Sequence, residues 1–143
     1  MKLEDIEAAW EQDSQTKPTD LGNESLRTPK LHNKYYQIYL REKLLLQKLR
    51  SDFKTLEFQK WEFYTQGPNE ETPKEWRLPA CGKILKNEVS RYLEADTDLI
   101  QAGLRISHQE EKVAFLLSIL GVIQFRNTTI KNSIDWAKFQ SGA

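Results

Sequence analysis

No proline or glycine lies between Pro29 and Gly67. Nothing else in the sequence constrains the fold as strongly, because those two residue types are the main helix breakers. Thr28-Pro29 has the form of a helix opening, a capping hydroxyl followed by proline at the first helical position. Gly67-Pro68 has the form of a stop. The expectation is a single helix over residues 29–66, roughly 57 Å long at 1.5 Å per residue. A chain of 143 residues cannot enclose such a rod in one compact domain, so one end must project or pair with another chain. At 100° per residue, Leu31, Ile38, Leu45, Leu49, Leu56 and Phe63 fall in a band about 40° wide. Tyr35, Leu46, Phe53 and Tyr64 widen it. Lys30, Lys34, Arg41 and Lys48 edge one flank of this band, and Lys43, Arg50 and Lys54 edge the other, close to Trp61.

The rest of the chain also has the 3.6-residue period of helices. Leu3, Ile6 and Trp10 predict a short N-terminal helix, followed by a polar connection with few apolar anchors. Residues 67–79 (GPNEETPKEWRLP) predict a loop pinned by Trp76, and helical periodicity resumes from Ile84. Asp96 or Thr97 can cap a new helix after a break at Ala95, and Ser107 to Glu110 has capping-box spacing. The run from Val113 to Phe125 is apolar on nearly every side, which predicts a helix buried all round. A chain only 38% apolar has too little else to cover it, so Phe115, Leu116, Ile119, Leu120 and Ile123 are expected to meet other subunits. Ile130, Ile134, Trp136 and Phe139 predict a last helix. The fold class is all-α, divided as 1–27 (acidic arm), 28–66 (basic helix), 67–79 (loop) and 80–143 (C-terminal helices).

Catalytic chemistry finds little support. Two histidines and one cysteine leave no His-based triad or four-Cys zinc module. Glu94, Asp96 and Asp98 have the composition of a metal site, but alternate helix positions point apart, and solvated surface is the better reading. No phosphate-binding glycine loop, nucleophile elbow or His-Glu-x-x-His pair is present. The expectation is a non-enzyme with no cofactor and no metal. The acidic, amphipathic first residues do not resemble a signal peptide, and the longest apolar run falls short of the ~20 residues of a membrane span.

Binding is the remaining class. The formal net charge is zero, yet it is unevenly spread: residues 1–29 carry three basic and seven acidic side chains, residues 30–66 eight basic and four acidic. Such a basic rod is often plain solvated surface. Single-stranded nucleic acid, however, is held by Lys and Arg against phosphates and by aromatic faces under bases. Residues 54–64 (KTLEFQKWEFY) interleave those two types, with Trp61 as the stacking candidate on the basic flank.

The order of these features resembles the UvsY family, recombination mediators of T-even-like bacteriophages and their cyanophage relatives. The likeness runs from the Met1-Lys2-Leu3-Glu4-Asp5-Ile6 opening and Asp13 through the basic helix into Lys60-Trp61-Glu62-Phe63-Tyr64. It continues through Lys86-Asn87-Glu88, Ala95-Asp96, Asp98-Leu99, the apolar run, and Ile130-Lys131 to Phe139. The resemblance implies an all-helical protein assembled in rings of about six or seven subunits, acting in the cytoplasm of the infected host. It implies binding of single-stranded DNA without sequence preference. It also implies help to a RecA-like recombinase (UvsX type) in displacing the phage single-strand DNA-binding protein. The family's basic pair falls on Phe58 and Lys60, so one of its two charges is missing here. Lys54 and Arg50 lie one and two turns upstream of Phe58 as compensation. The expected DNA-binding residues are Lys43, Lys48, Arg50, Lys54, Lys60, Trp61 and Tyr64. A helical scaffold with no DNA role is the competing reading.

Overall fold

A computed structural model describes residues 1–142, and among them it contains five helices and no strand. They are α1 (Leu3–Asp13), α2 (Leu21–Gln66), α3 (Val89–Ala95), α4 (Thr97–Gln124) and α5 (Arg126–Gln140). The all-α expectation is met. The chain divides into two compact units, Met1–Leu44 with Glu110–Ala143, and Leu45–Gln109. Both α2 and α4 contribute to each.

In the first unit, Ile6 of α1, Leu31, Tyr35 and Ile38 of α2, and Leu116, Ile119, Leu120 and Ile123 of α4 form one buried cluster. Trp10 meets the Tyr35 ring edge-on at 5.4 Å. The Tyr35 hydroxyl donates to Asp13 at 2.8 Å, and Lys34 reaches the same carboxylate at 2.6 Å. Burial raises the Tyr35 hydroxyl pKa, and the Asp13 carboxylate reinforces the shift.

Thr28-Pro29 does not open α2. The helix starts at Leu21 and runs through Pro29. Proline lacks the N–H that the carbonyl four residues earlier would accept, which normally breaks or kinks a helix. Here the first residue of α5 braces the turn that precedes Pro29. Arg126, itself buried, donates to the Glu24 backbone carbonyl, to the Thr28 hydroxyl at 2.6 Å and to the Glu24 carboxylate at 2.5 Å. Thr28, a cap by its sequence pattern, is a partner of α5 instead, and also donates to Asn127 at 2.8 Å.

In the second unit α2 ends where expected: Gly67 has φ 86°, and its N–H reaches the Phe63 carbonyl at 3.0 Å. The following non-helical segment is longer than the sequence suggests, lasting to Glu88. Ile84 is not helical; its N–H bonds the Tyr64 carbonyl at 2.8 Å, and its side chain joins a cluster with Phe63, Tyr64 and Val89. Trp76 packs edge-on against Phe63 at 5.4 Å, as its place in a proline-rich loop implies. Asp96 caps α4 by accepting the Leu99 N–H at 3.1 Å. Ser107 caps nothing, for it lies inside α4. With neither proline nor glycine between Gly103 and Gly121, its hydroxyl cannot end a helix that packing sustains on both sides.

The helix expected to be buried all round is buried on one stripe. Leu116, Ile119, Leu120 and Ile123 face the core, whereas Leu117, Val122 and Phe125 are exposed. α4 and α5 meet at a 40° bend, and no single helix among the described residues is long and apolar enough to cross a membrane.

Replacing Arg126 by alanine removes the shorter of the two arginine contacts to the buried Glu24 carboxylate, leaving Arg27 at 3.2 Å, and removes the donor to the Glu24 carbonyl and the Thr28 hydroxyl. Arg126→Ala should therefore lose about 1.5–3 kcal/mol of stability in urea unfolding. Pairing it with Glu24→Gln should recover part of that loss, and a single variant within about 1 kcal/mol of wild type would contradict this account.

Candidate nucleic-acid interface

Lys48, Arg50 and Lys54 are exposed on α2 in the second unit, as is Lys43 in the first. The Lys43 ammonium lies 5.7 Å from the centre of the Tyr39 ring. One turn beyond Lys54, Phe58 is 59% exposed, and it stacks on Trp61 at 6.2 Å with 14° between the ring planes. Lys86, from the loop, places its ammonium 5.9 Å from the Trp61 ring centre. Lys54, Glu57, Phe58, Trp61 and Leu93 line an open hollow of about 350 Å³. A hollow with two parallel rings on its floor and ammonium groups nearby can hold an unstacked base and its phosphate.

Sequence reasoning does not reach two residues of this surface. Phe58 occupies the position where the family resemblance puts a basic residue, so it counts there only as a missing charge. It stands three residues before Trp61, the spacing at which helix side chains meet, and that spacing makes the pair detectable. Lys86 has no such signal, because it arrives from irregular chain without periodicity.

Lys60 and Tyr64 do not belong to this surface. Lys60 is 4% exposed. Its ammonium pairs with Asp96 at 3.1 Å and Asp98 at 2.8 Å, and lies 3.9 Å from the centre of the Trp76 ring. The Tyr64 hydroxyl donates to Asp96 at 2.6 Å. Asp96, expected on solvated surface, is therefore the centre of a buried polar cluster. Only Asp98, whose side chain is 47% exposed, meets water freely. Burial alone would raise the Asp96 pKa, but the Tyr64 hydroxyl, the Leu99 N–H and the Lys60 ammonium together hold it below the ordinary carboxylate value. Burial and then the Asp96 carboxylate push the Tyr64 hydroxyl up. Among the described residues no group of His, Cys, Asp or Glu is arranged to hold a metal ion. A cleft of about 690 Å³ lined by Lys60, Tyr64, Trp76, Arg77, Asp96 and Asp98 opens over the cluster, yet the lysine at its base is already neutralised.

The residues expected to join subunits are also occupied. Leu116, Ile119, Leu120 and Ile123 fill the core of their own unit, with Phe115 packed against it. Exposed apolar groups are found instead at Leu117, Val122 and Phe125, and on α5 at Trp136 and Phe139, whose rings stack at 5.6 Å.

Residues 9–143 match the family described as recombination, repair and ssDNA binding protein UvsY. Crystal structures of the bacteriophage T4 recombination mediator protein UvsY, in three lattice types, superpose with TM-scores of 0.82, 0.79 and 0.78 at 19%, 20% and 19% identity. The alignments cover 97%, 99% and 95% of this chain and 99%, 98% and 98% of those chains. At such identity the likeness establishes the fold. No curated protein sequence matches the chain.

The buried cluster fixes how stability responds to acid. A carboxyl whose folded pKa is depressed adds stability above its unfolded pKa and loses it as pH falls through the folded value. Wild type should therefore weaken as pH drops below the ordinary aspartate value of 3.8. Asp96→Asn, less stable at neutral pH, should show a flatter acid limb in pH-dependent denaturation. Equal slopes for the two proteins would rule out Asp96 as a contributor.

Proposed function

The chain belongs to the UvsY family of recombination, repair and single-stranded-DNA-binding proteins, and from that premise we propose that it is a non-enzymatic recombination mediator. It binds single-stranded DNA without sequence preference and helps a RecA-like recombinase replace the single-strand DNA-binding protein on that DNA. The observation that carries the binding step is the Phe58–Trp61 ring pair with Lys54 at its edge and Lys86 beside Trp61. Stacking on such rings is sequence-tolerant, because every base has a π-face. Lys43, Lys48, Arg50 and Lys54 contact phosphates, which carry no sequence information. Lys60 and Tyr64 leave the expected set because their polar groups are engaged inside the chain.

A few cations per chain hold a polyanion weakly. The proposed assembly of six or seven copies resolves this, since each bound segment raises the effective concentration of the next site. Leu117, Val122, Phe125, Trp136 and Phe139, apolar and uncovered in the single chain, are the residues proposed to pack against other subunits. A strand bound by many weak, separate contacts can be released piecemeal, which suits hand-over to a recombinase.

Fluorescence titration of a labelled oligothymidylate at several salt concentrations tests this reading. Lys54→Ala should weaken binding for all sequences and flatten the log–log salt dependence by about 0.7 for each phosphate the variant leaves unneutralised. Trp61→Ala should cost about 1–3 kcal/mol while leaving the salt slope unchanged. No retention of single strands by wild type in dilute buffer would defeat the proposal.

A further inference from the structure

Of the outer face of α2 in the first unit, the binding surface described so far uses only Lys43. There three rings follow one another at helical spacing. His32 lies parallel to Tyr36, with centroids 5.5 Å apart and 14° between the planes. Tyr36 lies over Tyr39 at 6.1 Å and 26°. Lys43 closes the row, its ammonium 5.7 Å from the Tyr39 ring centre. His32 is exposed and Tyr36 is 42% exposed, while Tyr39 is half-buried and braced against the core cluster.

We infer that this ring ladder is a second base-stacking surface for single-stranded DNA. Three arguments support that occupant. The rings are held parallel by a continuous helix, so little side-chain freedom remains to be lost when a base stacks on them. The row ends in an ammonium able to meet a phosphate. The neighbouring α2 side chains Asn33, Gln37 and Leu40 carry no negative charge, and the nearby carboxylate of Glu42 is buried and paired with the Met1 amine and Lys112. The ladder repeats in the first unit the chemistry of the Phe58–Trp61 pair in the second: parallel rings on α2 with a lysine beside them. Each chain would thus offer two stacking surfaces on separate units. The inference rests on the proposed binding of single-stranded DNA, and it assigns to that binding residues which the Lys54–Trp61 segment does not contain.

The test uses the full chain with the double variant His32→Ala/Tyr36→Ala, whose side chains lie outside the core, and with Tyr36→Phe, which keeps the ring. Affinity is measured for a long oligothymidylate and for an abasic strand of equal length. Stacking predicts about tenfold weaker binding of the base-bearing strand by the double variant, no change on the abasic strand, and near wild-type binding by Tyr36→Phe. It also predicts that a 5-iodouracil strand cross-links wild type at His32, Tyr36 or Tyr39 on irradiation, a readout that does not depend on any variant folding. Binding by wild type with no cross-link in residues 32–39 and an unaffected double variant would overturn the ladder while leaving the Phe58–Trp61 surface intact. A change in assembly size by light scattering on His32→Ala/Tyr36→Ala would make the row a contact between copies of the chain and overturn stacking. Failure of wild type to bind any strand would remove both proposals together.

Discussion

A lysine withdrawn almost wholly from water must be neutralised, and at Lys60 this requirement organises the second unit. Two carboxylates converge on it, from Asp96 and Asp98, while the Trp76 ring covers it. Asp96 serves three groups at once. It pairs with Lys60, accepts the Tyr64 hydroxyl and caps α4 through the Leu99 N–H. One carboxylate thereby ties the end of α2 to the start of α4 and gives the proline-rich loop an anchor through Trp76. Removing a single partner from such a cluster strands a charge in a medium of low dielectric, so its parts stand or fall as a group.

The cluster also decides which chemistry the surface keeps. Within the eleven residues from Lys54 to Tyr64 the helix turns one side inward, with Lys60, Phe63 and Tyr64, and leaves Lys54, Phe58 and Trp61 on the outside or at its edge. Aromatic and basic residues are therefore sorted by helical face and not by type. A lysine is inside and a phenylalanine is outside, the reverse of what hydropathy alone suggests. The inward lysine is stable because its partners are built in. The outward phenylalanine is compatible with water because Trp61 covers one of its faces.

Much of the fold is legible in the sequence because it depends on short-range periodicity. α1, the stop at Gly67, the break at Ala95 with Asp96 as cap, and the all-helical class follow from spacing and from proline and glycine placement. Features set by distant partners are not legible in this way. The start of α2 depends on Arg126, about a hundred positions away, which supports Glu24 and Thr28 around Pro29. The burial of Lys60 depends on carboxylates beyond a long loop. The apolar run of α4 looks uniform in sequence, and periodicity cannot say which of several apolar sides meets the core of its own chain. Packing selects Leu116, Ile119, Leu120 and Ile123, and so leaves Leu117, Val122 and Phe125 outside.

That selection bears on how a neutral chain can act on a polyanion. Neutrality is a whole-chain sum, and the folded molecule places the opposing charges unequally. Part of the acidic excess near the N-terminus is consumed within the first unit, where Asp13 holds Lys34 and Glu24 holds Arg126. Asp96 and Asp98 are consumed in the same way around Lys60. Carboxylates committed to such pairs project little field, whereas Lys43, Lys48 and Lys54 stand in water on α2. Over residues 43–57 of α2, exposed Lys43, Lys48, Arg50 and Lys54 outnumber exposed Asp52 and Glu57, so a phosphate backbone within the roughly 8 Å Debye length of physiological salt meets a field more positive than the whole-chain charge. The apolar groups left uncovered on α4 and α5 are the complementary half of the proposed design, the surface through which chains would gather. In the proposed assembly, gathering would turn a few exposed cations per copy into a grip on one long strand.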